Sequence, residues 1–322
     1  MKKLFVAVCG LAVVTASLEG RQALRVDAAL PPYQKTSGVS GNLSSVGSDT
    51  MNNMMTFWAE AFRTVYPNVK IQVEGKGSST APAALLAGTA MLGPMSREYR
   101  AAEVDAFELK YGYKPTQLKT SYDALAIYVN KDNPIEKLTL AQVEAIFSKT
   151  RRRGYKEDIK TWGQLGLTGD WASRPISLYG RNSASGTYGF FKEHTLKNGD
   201  YKTTVKEQPG SSAVIQGVTE DRYGIGYSGI GYRTSSVKVV PLAETDKGPY
   251  SDGSYPDVVS GKYPLWRFLY IYVNKAPGKP LDPLVGEFVK LIFSKQGQEA
   301  VVKDGYYPLG APMAATEVAK IK

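Results

Sequence analysis

Along this chain, short apolar runs with strand-like alternation take turns with longer segments whose apolar residues recur every three or four positions. Asn42-Leu43-Ser44-Ser45-Val46 predicts a first strand. Met51, Met54, Met55, Trp58, Phe62 and Val65 then form one apolar stripe, a core-facing helix that Pro67 stops. Val69-Lys70-Ile71-Gln72-Val73 alternates as a strand, and a short helix runs to Leu86. A helix over 103–111 follows, then Asp123-Ala124-Leu125-Ala126-Ile127-Tyr128-Val129-Asn130, a continuous apolar strand with an acid at its start. Thr139-Leu140-Ala141-Gln142 is a capping box for a helix through Phe147.

The second half repeats the alternation. A turn-helix piece falls over 162–167, a strand over 175–179, and helices over 188–196 and 211–220. Strands follow over 224–228 and 237–242, then a loop over 247–262. Trp266-Arg267-Phe268-Leu269-Tyr270-Ile271-Tyr272-Val273-Asn274-Lys275 is a further apolar strand, ending Tyr-Val-Asn-Lys like the one that ends Tyr128-Val129-Asn130-Lys131. Helices over 283–294 and 296–303 close the pattern. Alternating strands and helices specify an α/β architecture. The two matched strands are candidate crossings between lobes, a first lobe of 42–128 plus 268–322 and a second of 129–267.

Four turns between these elements are rich in hydroxyls. They are Gly47-Ser48-Asp49-Thr50, Gly77-Ser78-Ser79-Thr80, Met95-Ser96-Arg97 and Arg181-Asn182-Ser183-Ala184-Ser185-Gly186-Thr187. Each precedes a predicted helix, where unpaired N–H groups and the helix dipole favour an anion. An arginine such as Arg181 adds a planar, permanently charged fork. In open α/β sheets, ligands collect at the carboxyl ends of strands, where all four turns fall. Three turns lie in the first lobe and one in the second, so a shared ligand would draw the lobes together.

The start of the chain changes the picture of location. Met1-Lys2-Lys3 precedes a 13-residue apolar run over 4–16, which fits an export signal and is too short to span a membrane. Cleavage is expected after Ala16, with a site as late as Ala28 open; 17–41, with prolines and small polar residues, reads as a flexible leader. The single cysteine, Cys9, lies inside the signal, so the exported chain has no disulfide and no cysteine metal site.

At this point the sequence resembles the periplasmic phosphate-binding proteins of ABC-type phosphate importers. The resemblance is carried in order by Gly47-Ser48-Asp49-Thr50-Met51, Gly77-Ser78-Ser79-Thr80, Pro94-Met95-Ser96-Arg97, Ser121-Tyr122-Asp123 and Arg181 to Thr187. It implies a two-lobed periplasmic-binding-protein fold of class II with two strand crossings. It implies phosphate contacts from Ser48, Asp49, Thr50, Ser78, Ser79, Thr80, Ser96, Arg97, Arg181, Ser185, Gly186 and Thr187, delivery to the importer's membrane subunits, a periplasmic location and a monomer. Many members carry an aspartate in the third turn to accept the phosphate's proton, whereas Ser96 stands here. Asp123 is the first candidate for that acceptor and Asp49 the second. A carboxylate there accepts a hydrogen bond from protonated phosphate and repels sulfate.

Other function classes fit less well. The net charge of +10 favours anionic partners without separating a small oxyanion from nucleic acid. The one dense basic run, Arg151-Arg152-Arg153, lies beside acids and a turn and reads as a solvated loop, so no nucleic-acid partner is expected. The only histidine, His194, lies in a Lys/Glu-rich segment, no cluster has metal-ligand spacing, and Gly75-Lys76-Gly77-Ser78 does not match a phosphate-loop NTPase. No catalysis, cofactor or metal is therefore expected. Binding of another oxyanion or a phosphorylated metabolite stays open, as does a secreted scavenging or adhesive role.

Overall fold

The computed structural model describes residues 24–322. β1 (Asn42–Val46) and β2 (Lys70–Glu74) pair in parallel, joined by α1 (Asn52–Val65), whose Met54, Met55, Trp58 and Phe62 are buried as the stripe requires. α2 (Thr80–Ala87), β3 (Gly93–Met95) and α3 (Ala101–Tyr111) follow. β4 (Thr116–Asn130) is the long strand of the molecule, and it begins well before the apolar run that predicts it.

Beyond it come β5 (Leu138–Thr139), α4 (Leu140–Phe147), β6 (Ser177–Arg181), α5 (Gly186–His194), β7 (Lys206–Gln208), α6 (Ser211–Glu220), β8 (Gly224–Gly229), β9 (Val237–Val239) and β10 (Leu242–Ala243). The predicted capping box forms: Thr139 Oγ1 accepts the Gln142 N–H at 3.2 Å, and Gln142 Oε1 accepts the Thr139 N–H at 2.9 Å. The segment over 247–262, expected as loop, contains the short α7 (Tyr255–Val259). β11 (Trp266–Val273), α8 (Pro283–Ile292), α9 (Lys295–Lys303) and α10 (Ala311–Ala319) complete the chain.

The main sheet runs β3-β11-β4-β8-β6-β7, with β9 also on β4. β4 changes partner along its length. Residues 116–124 pair with β11, and 125–129 pair with β8. It therefore carries the backbone from one lobe of a two-lobed α/β fold into the other. Thr116–Asn130 is almost wholly buried, and from Ser121 onward successive residues on both faces are buried, which is why 124–129 reads as a continuous apolar run.

The part of the leader that is described, 24–41, is not loose. Leu30 is 3 % exposed, and the Lys295 N–H donates to the Pro31 carbonyl at 2.9 Å. The Tyr33 hydroxyl donates to Glu287 at 2.8 Å and meets the Tyr66 hydroxyl at 2.9 Å, and Asp27 accepts the Ala311 N–H at 2.9 Å. An extended segment anchored by isolated side chains has no period, so its sequence looks like a linker. The signal run over 4–16 lies outside the described residues. Among those residues, no helix is long and apolar enough to cross a membrane.

Candidate functional site

The turns after β1, β2, β3 and β6 meet between the lobes. Local packing sets the first of them: a Cβ on Gly47 would lie 2.2 Å from the Pro94 carbonyl oxygen, so only glycine lets the β1 and β3 turns sit side by side. The Ser48 N–H then donates to that carbonyl at 2.8 Å. Gly186, the first residue of α5, has the same function between lobes. A Cβ there would lie 2.3 Å from Ser78 Oγ and 2.6 Å from Ser96 Oγ, so the bare backbone brings the helix mouth of the second lobe against the hydroxyls of the first.

Five buried hydroxyls form one cluster. Ser48 Oγ donates to Ser96 Oγ at 3.1 Å, and Ser78 and Ser96 lie 3.2 Å apart. Thr187 reaches Ser96 at 3.5 Å and Thr50 at 2.9 Å. Ser185 caps α5, its Oγ accepting the N–H groups of Thr187 and Tyr188. Tyr306 fixes the first turn by donating to the Thr50 carbonyl at 3.0 Å, and Tyr232 does the same at Asp49. Burial raises the pKa of both phenols, so they stay neutral donors.

Two arginine–aspartate pairs flank the cluster, each with its arginine buried. Arg181 donates to Ser211 Oγ at 2.6 Å and lies 3.1 Å from Asp49 Oδ1, which also accepts the Ser211 N–H at 2.7 Å. Asp49 thus ties the first lobe to the mouth of α6 in the second. Burial lowers the pKa of Arg181, Asp49 opposes that shift, and the charge of Arg267 adds to it. The Arg181 Nε–H is buried without a hydrogen-bond partner. Behind Arg181, its N–H donates to Tyr227, whose pKa is pushed up to about 12, chiefly by burial.

The second pair is Arg267 with Asp123. Arg267 donates from Nε to Asp123 Oδ2 at 2.8 Å, from Nη1 to the Ser96 carbonyl at 2.8 Å and from Nη2 to Thr187 Oγ1 at 3.0 Å. Asp123 Oδ1 accepts the Ile230 N–H at 3.0 Å. Asp123, the first candidate for the proton acceptor, is also the counter-ion of a buried guanidinium. Sequence reading missed Arg267, though a signal was there: a lone arginine in an apolar strand is buried only if paired. Register sets it directly opposite Asp123.

Not every expected residue joins the cluster. Arg97 makes a two-pronged ion pair with Glu103, at 2.7 Å for each nitrogen, and so turns away from the hydroxyls. Ser79 Oγ receives only a long contact from Arg97, at 3.4 Å, while its N–H donates to the Ala184 carbonyl at 3.1 Å. Thr80 Oγ1 donates within its own turn, to the Gly77 carbonyl at 2.8 Å. His194 lies at the far end of α5 with its ring 4.1 Å from that of Phe190, and it forms no contact with these serines. Among the described residues, no group of histidine, cysteine or acidic side chains could hold a metal ion. The arrangement offers a small anion donors on several sides, with charge from two arginines.

Comparison with known proteins agrees with this geometry. The chain is 60% identical to the phosphate-binding protein PstS of Pseudomonas aeruginosa over 296 residues, 92% of each chain. It is 28% identical to the protein SphX of Synechococcus elongatus, over 89% of this chain and 83% of that one. Its fold matches a putative phosphate ABC transporter substrate-binding protein from Clostridium perfringens, solved with bound phosphate, at a TM-score of 0.70 and 24% identity, covering 84% of this chain and all of that one. It also matches an ABC-type phosphate transport receptor from Vibrio cholerae, at a TM-score of 0.63 and 22% identity, over 83% of this chain and all of that one. A family model for the PBP superfamily domain fits residues 33–296, and with the close relative above it shows that the chain belongs to this superfamily and, within it, to the PstS phosphate-binding proteins.

Proposed function

We propose that this protein binds one inorganic phosphate between its lobes and delivers it to an ABC-type membrane importer. The observation that carries this reading is the closed cluster of five hydroxyls from both lobes, flanked by two arginines. Ser48, Thr50, Ser78, Ser96 and Thr187 would turn their hydrogens from one another onto the phosphate oxygens. Gly186 and Thr187 add main-chain N–H groups at the helix mouth, and Arg267 and Arg181 balance the charge. The lobes, 42–128 plus 268–322 and 129–267, close on the anion through β4 and the return at β11. Arg97, Ser79 and Thr80 act as supports of the turns.

Selectivity follows from lone pairs. A carboxylate has about four acceptor positions. Ile230 and Arg267 occupy those of Asp123 only in part, so one is left for the proton that phosphate keeps near neutral pH and sulfate lacks. Asp49 is the second candidate. The protein works exported, in the periplasm, as a monomer that turns nothing over. Calorimetric titration with phosphate and with sulfate tests the proposal: a strong heat for the first and none for the second is expected. Equal heats would defeat the selectivity argument, and absence of both would defeat phosphate binding. Asp123→Asn should weaken phosphate and relax the rejection of sulfate.

A further inference from the structure

Beside the buried cluster, an open groove of about 810 Å³ runs between the lobes. One wall is the stretch from Arg97 to Arg100 of the first lobe, and the other is α5 of the second from Tyr188 onward. Its floor is the start of β11, where Trp266, Phe268 and Tyr270 alternate onto one face, with rings 5.5 and 6.3 Å apart in succession. Phe190 is part of the α5 wall, its ring 5.1 Å from the Arg267 guanidinium and 4.1 Å from the His194 ring.

Two features decide what such a groove can hold. The lining is rich in flat π-faces, and Trp266 is only part-buried where the other three tryptophans, Trp58, Trp162 and Trp171, are buried. It is also cationic. Five cations line it against Glu98 and Glu193; Arg97, Arg267 and Lys192 are matched by Glu103, Asp123 and Asp200, which leaves Arg100 and Lys119 to face an anion. Lys119 already lies 4.6 Å over the Phe268 ring, the placement a cation takes on an aromatic face. Inorganic phosphate has no use for the aromatic floor. A flat ring joined to a phosphate uses both features, by stacking and by charge, and the volume falls in the range of small-ligand sites.

We propose that this groove is a second ligand site, distinct from the buried cluster, for a mononucleotide-like aromatic phosphate. Since both lobes line it, such a ligand would favour the closed arrangement and slow the release of phosphate. The test is titration of the full exported chain, saturated with inorganic phosphate, with adenosine 5′-monophosphate, read by quenching of Trp266 fluorescence and by calorimetry. Adenosine and ribose 5-phosphate serve as single-feature controls.

Saturable binding of the nucleotide is expected, at least tenfold tighter than either control. A Lys119→Glu, Lys192→Glu double variant should weaken it at least tenfold while the protein still binds phosphate. Trp266→Phe should abolish the optical signal and keep the heat. No saturable binding at millimolar nucleotide would overturn the proposal. So would unchanged affinity in the lysine variant, or strict competition with inorganic phosphate, which would put the nucleotide's phosphate in the buried cluster. Phosphate heats recorded first on the same protein separate a failure of the groove from a failure of phosphate binding.

Discussion

Arg267→Met tests whether the arginine that sequence reading missed belongs to the anion site or merely neutralises Asp123. Arg267 is 4 % exposed and Asp123 is 0 % exposed, so their pairing has almost no water around it. Removing one partner of a buried pair leaves the other charge uncompensated, which costs about 3–5 kcal/mol. Asp123 would keep the Ile230 N–H but lose Arg267, so the single variant should unfold at markedly lower denaturant. The double variant Arg267→Met, Asp123→Asn removes both charges and should recover most of that loss. Phosphate affinity should behave differently. A hydrogen bond from a charged donor contributes about 1.5–3 kcal/mol, and at about 1.4 kcal/mol per decade the affinity should fall about 10- to 150-fold. That fall should persist in the double variant, deepened there by the loss of the Asp123 acceptor. Chemical denaturation read by circular dichroism gives the stabilities, and calorimetry gives the affinities. If the double variant regained both stability and affinity, Arg267 would serve only as a counter-ion, and its place among the phosphate contacts would be refuted.

Three further outcomes follow from the structure. Gly186→Ala puts a methyl group 2.3 Å from Ser78 Oγ and should hold the lobes apart, raising the phosphate Kd at least tenfold with little change in unfolding; a normal Kd would show that closure tolerates the group. Tyr33→Phe removes the hydroxyl that joins Tyr66 and Glu287, and should cost about 1–2 kcal/mol in denaturation and speed proteolysis within 24–41. Burial lifts the carboxyl of Asp304 to about 7, and its Oδ2 is buried without a hydrogen-bond partner. Its folded pKa thus exceeds the ordinary carboxyl value of 3.8, so its contribution is complete below about pH 4 and is lost as pH rises through 7. Asp304→Asn should therefore gain stability relative to the natural chain at pH 8 compared with pH 5, and parallel pH profiles for the two proteins would refute this.

Much of this protein was legible in its residue order because the relevant physics is local. The period of the α1 stripe, the capping box at Thr139 and the apolar run within β4 each depend on neighbours a few positions away. The four hydroxyl-rich turns could be located for the same reason, since a helix mouth and its side chains are set by adjacent residues. Which hydroxyls meet was decided by tertiary contact: Ser96 joins Ser48, Ser78 and Thr187, whereas Thr80, in an equally suitable turn, bonds its own loop. Arg97 looked like an anion ligand until Glu103, six residues on, claimed it. Asp123 and Arg267 stand 144 residues apart and are paired only by the register of β4 with β11. The segment over 24–41 has no period, and its order comes from single anchors on α8, α9 and α10. Local propensity can mark an element and its cap, but the partner of a buried charge is chosen by whichever strand lies beside it once the sheet has formed.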